Sequence, residues 1–173
     1  MQSIEITRPD DWHVHLREGN LLKAVIDYSS RVNQRCIVMP NLNDPITTTL
    51  KGIDYIKKIN LSYLHVFPYS DRPGTEASKM KGTVHGQTIR DRARAVREVG
   101  SVLSQQFRVA QIGRIRPGLT LRQRAHTVVL TDNYLRVQVP VPPPENVRVH
   151  VRILTATDSP AGELVNESMS STL

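Results

Sequence analysis

Apolar and polar positions alternate in several short stretches of the 173-residue chain, and they recur at helical steps in others. Residues 3–7 alternate weakly and read as a first strand. Trp12 to Leu16 is a second extended run after the Pro9-Asp10-Asp11 turn. From Asn20 to Ser30, Leu21, Leu22, Val25 and Ile26 form one apolar face, which predicts a helix with Asn20 as its N-cap. Arg35 to Met39 is a short apolar strand stopped by Pro40. A helix over residues 50–59 carries Ile53, Ile56 and Ile59 on one side, after the capping run Thr47-Thr48-Thr49. Leu61 to Phe67 reads as a strand broken at Pro68.

The longest periodic stretch runs from about Gln87 to Ile112. Ile89, Ala93, Val96, Leu103, Phe107 and Ala110 recur at steps of three and four, with Gly100 as a kink and Gly113 as the C-cap. Beyond it the pattern turns to β. Thr127 to Leu130 is a strand, and Tyr134 to Val139 alternates, with Tyr134 and Arg136 on one face. Val147 to Leu154 alternates with Val147, Val149, Val151 and Ile153 inward. Residues 114–126, which contain Arg116-Pro117-Gly118, make a poor strand, so the small barrel that these strands predict lacks an edge. Pro140 to Pro144 reads as a proline-rich loop, and residues 166–173 as a disordered tail.

Charge sharpens the middle of the chain. The net charge is +7. Residues 71–126 hold 12 Lys/Arg against 4 Asp/Glu, a net of +8, whereas residues 1–58 net +1 and residues 127–173 net −2. The basic block is mostly arginine, whose planar fork suits phosphate. It predicts a polyanion partner, RNA first, and its alternative is a solvated helix face. A single cysteine, Cys36, excludes an intrachain disulfide. No apolar run approaches a membrane span, and no basic-then-apolar leader opens the chain, so the expected location is cytoplasmic, with no membrane partner.

Candidate chemistry lies near the N-terminus. His13 and His15 sit two apart on an extended run, which places both imidazoles on one face, as a metal site needs. The string Arg8-Pro9-Asp10-Asp11-Trp12-His13-Val14-His15-Leu16-Arg17, with Val38-Met39-Pro40-Asn41-Leu42, resembles the opening of a dihydroorotase, a zinc amidohydrolase of pyrimidine synthesis. The resemblance implies zinc as cofactor, His13 and His15 as ligands of the metal pair, and Arg17 and Asn41 as the groups that hold the substrate's carboxylate. The β-α-β order is how a TIM barrel begins, with His13 and Asn41 near the C-terminal ends of successive strands. Such an enzyme also needs a bridging carboxylated lysine, further histidines and an aspartate base. His65, His85, His126 and His150 fall in no matching context, and 132 residues follow Asn41 where a barrel takes about 250 in all.

The stretch Leu64-His65-Val66-Phe67-Pro68-Tyr69-Ser70, followed by Arg72-Pro73-Gly74-Thr75, and the stretch Thr131-Asp132-Asn133-Tyr134-Leu135-Arg136-Val137 resemble the tRNA methylthiotransferases. In those radical-SAM enzymes a catalytic barrel is followed by a basic helix and a TRAM-like RNA-binding domain. This resemblance covers about residues 54–165. It implies tRNA binding through Arg90, Arg94, Arg97, Arg108, Arg114 and Arg116, with Tyr134 to stack on a base and Arg136 to meet a phosphate. The family's clusters need cysteines that this chain lacks apart from Cys36, so no iron–sulfur cluster is expected.

The expected fold class is α+β: a partial β/α, TIM-barrel-like N-terminal fragment, a long basic helix and a small C-terminal OB-like or TRAM-like β-barrel. The expected domains are 1–53, 54–112, 113–165 and a tail at 166–173. The leading functional expectation is a tRNA-binding, catalytically incomplete relative of the methylthiotransferases. The second is a zinc-binding amidohydrolase fragment completed by a partner chain, and the third a fusion reading frame with no evolved function. The chain is not expected to be an enzyme on its own.

Overall fold

The computed structural model describes residues 8–122, 127–140 and 144–165. The expected strand at residues 3–7, the tail at 166–173 and most of the proline-rich loop lie outside them. The chain divides into two compact units, residues 1–48 and 49–173, and is of mixed α and β structure.

In the first unit, β1 (Asp10–Leu16) and β2 (Arg35–Pro40) pair in parallel around helix α1 (Gly19–Val32). The crossover follows from the sequence: two extended apolar runs separated by an amphipathic stretch long enough to return the chain to the same end of the sheet. Glu18, not Asn20, is the N-cap of α1, and its side chain makes no capping bond. Gly19, at φ +58°, supplies the turn out of β1. Leu16 and Leu22 are buried. The unit is tied further by Gln34 N donating to Pro9 O at 2.8 Å and by Arg8 donating to the backbone oxygens of Ser30 and Arg31 at the end of α1.

The second unit begins with α2 (Thr49–Ile59), which packs against α3 (Gly86–Val109). Tyr55 and Ile59 of the one and Ala93 and Leu103 of the other are buried. The segment 61–67, expected as a strand, is irregular. Leu64 packs on Gly100, while Tyr63 and Phe67 stay exposed. A strand needs a ladder partner, and none of the described strands pairs with this segment. Helix α3 starts at a cap in which His85 Nδ1 accepts from Gln87 N and runs without interruption through Gly100. A Cβ at that position would lie 3.1 Å from Leu64 Cδ1, so the glycine serves a close approach, not a kink. The cap at the far end is Ala110. Gly113, at φ +79°, turns the chain into the sheet, its N–H donating to Ile153 O at 2.8 Å.

Five strands follow: β3 (Ile115–Arg122), β4 (Thr127–Thr131), β5 (Arg136–Val139), β6 (Arg148–Ile153) and β7 (Gly162–Val165), in the order β5-β4-β3-β6-β7 and antiparallel throughout. The sheet curls until its ends meet: Gln138 of β5 bridges Ala161, and Gln138 N donates to Pro160 O at 2.7 Å. Val129, Val137, Val139, Val151 and Ile153 form the core, with Leu135, Val149 and Leu164 against it. Val147, expected inward, lies before β6 and is exposed.

The poorest sequence strand, β3, is the centre of the sheet and pairs with β4 and β6. Pairing on both sides overrides its weak propensity. Pro117 lacks a donor, but its carbonyl accepts from Asp132 N at 2.9 Å. Gly118 admits Val129, whose Cγ1 would sit 2.5 Å from a Cβ there. Thr120 is fully buried and satisfied: Oγ1 donates to Pro144 O at 2.6 Å and accepts from Val147 N at 2.9 Å. β5 begins at Arg136. Tyr134 sits in a left-handed turn, φ +65°, so the expected shared strand face of Tyr134 and Arg136 does not exist.

Candidate functional site

The end of β1 carries the predicted pair. His13 and His15 project on one face, their Nε2 atoms 2.9 Å apart and their rings edge to face at 4.7 Å. Both are exposed. Asp11 stiffens the approach, its Oδ1 accepting from His13 N at 2.9 Å. Two nitrogens at this spacing can both reach a common ion at the usual zinc–nitrogen length of about 2.0–2.1 Å, with an angle at the metal near ~90°. The pair therefore fits as two adjacent ligands. Among the described residues no group of three or more His, Cys, Asp or Glu comes together as a metal site, so these side chains supply two ligands of a set, not the whole of one.

The other two predicted residues meet beside it. Arg17, just past β1, donates from Nη1 to the backbone oxygen of Asn41, just past β2, at 3.0 Å. Asn41 N in turn donates to Leu16 O at 3.5 Å. The parallel pairing brings both to the same strand ends as the imidazoles. The remaining guanidinium donors of Arg17 and the exposed Asn41 amide can take a carboxylate. Sequence reasoning missed Glu18, whose Oε1 accepts from Asn43 N at 3.2 Å and Asp44 N at 3.4 Å and so fixes the loop after Asn41. Nothing in its spacing signals that task. It also missed Asp10, whose carboxyl the hydrogen-bonded Arg35 guanidinium holds below the usual carboxylate range, a partnership that anchors the start of β1 to β2.

The arginines expected to grip tRNA are mostly engaged within the chain. Arg90 donates to Gln87 Oε1 at 2.7 Å, Arg94 pairs with Asp91 at 2.8 Å and Arg114 donates to Ala110 O at 3.0 Å. Arg116 donates to Gln111 Oε1 at 2.8 Å, beside Asp132. Arg108 donates to Asp158, Gln105, Ser104 and Ala156. Arg97 and Arg136 are exposed. Among the described residues no helix is long and apolar enough to cross a membrane.

No family model matches the chain. Curated relatives do. The mitochondrial dihydroorotase of Oryza sativa subsp. japonica is 52% identical over 59 residues, 34% of this chain and 14% of that protein. The dihydroorotase of Acaryochloris marina is 52% identical over 59 residues, and that of Salmonella paratyphi B 55% over 58; each match covers 34% of this chain and 17% of the relative. These relatives overturn the leading expectation. They are dihydroorotases, which bears on the second reading and gives no support to a role in tRNA modification. About a third of this chain is thus homologous to dihydroorotases, and the chain spans only 14–17% of the length of the relatives it matches.

Proposed function

We propose that the first unit is a dihydroorotase-type amidohydrolase fragment that holds a zinc-class cation through His13 and His15 and presents Arg17 and Asn41 to a carboxylate. One observation carries the reading. The 2.9 Å approach of the two Nε2 atoms occurs in a chain of which a third is 52–55% identical to dihydroorotases. When bound, zinc supplies Lewis-acid polarisation of an amide carbonyl. The chain's own residues do the rest of the work assigned here: two imidazoles hold the ion, and the fork of Arg17, steadied by the Asn41 backbone, orients the acid group of the ligand. The parallel β1–α1–β2 arrangement supports reading this unit as the opening of a β/α barrel that a partner chain completes, with the missing ligands and base supplied by that partner. In the second unit, the strand order and the parallel bridge at Gln138 support an OB-like reading of the curled sheet.

The test is zinc bound by the full chain at equilibrium with excess free zinc, measured by equilibrium dialysis and elemental analysis. About one ion per chain is expected, lost in the double substitution His13→Ala, His15→Ala. Zinc that is absent from the wild type, or retained by the double variant, removes the proposal.

A further inference from the structure

A second site lies on α3, independent of the first unit. Arg97, Ser101, Ser104 and Arg108 recur at steps of four, three and four and therefore share one helix face. With Tyr63 and Asp158 they line a cleft of about 210 Å³. Gly100, buried on the same helix, lets the 61–69 segment lie close enough to form the opposite wall. Every polar side chain lining the cleft except Asp158 carries at least one donor, and two of them, Arg97 and Arg108, are cations. Arg108 is nearly buried, with its side chain 13% exposed, and four of its five N–H donors are engaged within the chain. It binds the one carboxylate, Asp158, and also donates to Ser104 Oγ at 2.9 Å. That bond occupies a lone pair of the Ser104 hydroxyl and leaves its O–H to donate elsewhere. Arg97 makes no hydrogen bond or ion pair among the described residues, and no carboxylate stands three or four positions from it on the helix.

We propose that this cleft binds a small phosphate monoester. Arg97 offers its free fork to the phosphoryl oxygens, the Ser101 and Ser104 hydroxyls donate to the same group, and the exposed Tyr63 ring flanks the organic part. The choice of an oxyanion follows from charge: two guanidiniums and three hydroxyls line the cleft against one carboxylate, which is paired with Arg108, so a cationic ligand meets net positive charge while an oxyanion meets the unpaired Arg97 and hydroxyl donors. Phosphate, with several acceptor oxygens and up to two charges, matches a fork and two hydroxyls better than a lone carboxylate does. The cleft leaves room beside the oxyanion for a small organic group.

Calorimetric titration of the full chain with inorganic phosphate and with phenyl phosphate tests the assignment. Both are expected to bind saturably, phenyl phosphate the tighter. Arg97→Ala should weaken both by about tenfold or more, with Arg97→Lys intermediate, because an ammonium keeps the charge and loses the fork. Asp158→Ala should tighten both, since it removes the one carboxylate of the cleft and releases Arg108 from that acceptor. Tyr63→Ala should remove the advantage of phenyl phosphate alone. Arg97 is exposed, so its replacement leaves the fold intact, which circular dichroism checks. No saturable binding of either probe overturns the proposal, as does binding unchanged in both Arg97→Ala and Ser101→Ala. Phenyl phosphate binding no tighter than inorganic phosphate overturns the part given to Tyr63.

Discussion

Arg17 and Asn41, 24 residues apart in sequence, meet at the ends of two parallel strands, with Arg17 Nη1 donating to the Asn41 backbone oxygen at 3.0 Å. The bond lies in solvent, so it contributes little to folding, about 1 kcal/mol or less. Its value is in aim: a guanidinium tethered by one nitrogen keeps its remaining donors pointed one way. Under the proposed function, Arg17→Ala is expected to leave the melting temperature nearly unchanged and to weaken binding of a small carboxylate probe, dihydroorotate, by about tenfold, a charge-assisted fork being lost. Ligand-observed NMR makes the comparison. A variant that binds like the wild type removes Arg17 from the site.

The single tryptophan of the chain, Trp12, stands next to His13 on β1, with the Arg35 guanidinium 5.7 Å from its ring. Its fluorescence reports on the first unit. An ion held by His13 and His15 in the folded state alone stabilises that state by mass action, about 2.7 kcal/mol at a hundredfold excess over the dissociation constant. Zinc is expected to raise the denaturant midpoint seen by Trp12 fluorescence, and His13→Ala to abolish the rise. An equal rise in the variant places the ion elsewhere.

The sheet of the second unit is packed to its limit at two glycines. A Cβ on Gly162 would meet Arg152 O at 2.5 Å and Val137 Cγ1 at 2.7 Å, and one on Gly118 would meet Val129 Cγ1 at 2.5 Å. Backbone and core atoms cannot retreat as an exposed side chain can. Gly162→Ala is expected to cost about 1–3 kcal/mol by overpacking. Ile153→Ala, at a position with no exposure, should cost about 2–5 kcal/mol through the cavity it leaves. Urea unfolding followed by far-ultraviolet circular dichroism measures both. A Gly162→Ala protein as stable as the wild type would show that the two edges of the curled sheet do not close as tightly as described.

The first unit was largely legible in the sequence, because its signals are local. An extended run after a turn marks β1, a short apolar run stopped by Pro40 marks β2, a 3.6-residue period marks α1, and a histidine pair two apart on a strand shares a face by geometry alone. Arg17 and Asn41 were named from a family resemblance, and the hydrogen bond between them was not foreseen. The second unit hid more. β3 carries a proline and a glycine and reads as a turn, yet pairing on both sides makes it the central strand. The 61–67 segment has a strand's composition and finds no ladder among the described strands. Tyr134 fits an alternating pattern, but a left-handed turn takes it out of the strand. In each case a long-range partner, or the lack of one, decided what local pattern could not. The arginine block misled for a related reason: charge is legible in sequence, but whether a guanidinium is already engaged by Gln87, Asp91 or Asp158 is not.

The pairing of Asp10 with Arg35 predicts an acid sensitivity of the first unit. Arg35 donates to it through both Nε, at 2.7 Å to Oδ1, and Nη2, and that pairing lowers the Asp10 carboxyl below its ordinary value of about 3.9. A carboxyl whose value is lower folded than unfolded binds fewer protons in the folded state. Its stabilisation is therefore complete above the ordinary value and fades as pH falls through the lowered one. The Trp12-detected midpoint is expected to hold steady from neutral pH to about 5 and to drop below about 4. Asp10→Asn should lower the midpoint at neutral pH and flatten the acid limb, since no charge remains there to be titrated. An acid limb of unchanged steepness in Asp10→Asn would assign the acid sensitivity to another carboxyl of the unit and leave the Asp10–Arg35 pair a contact without consequence for stability.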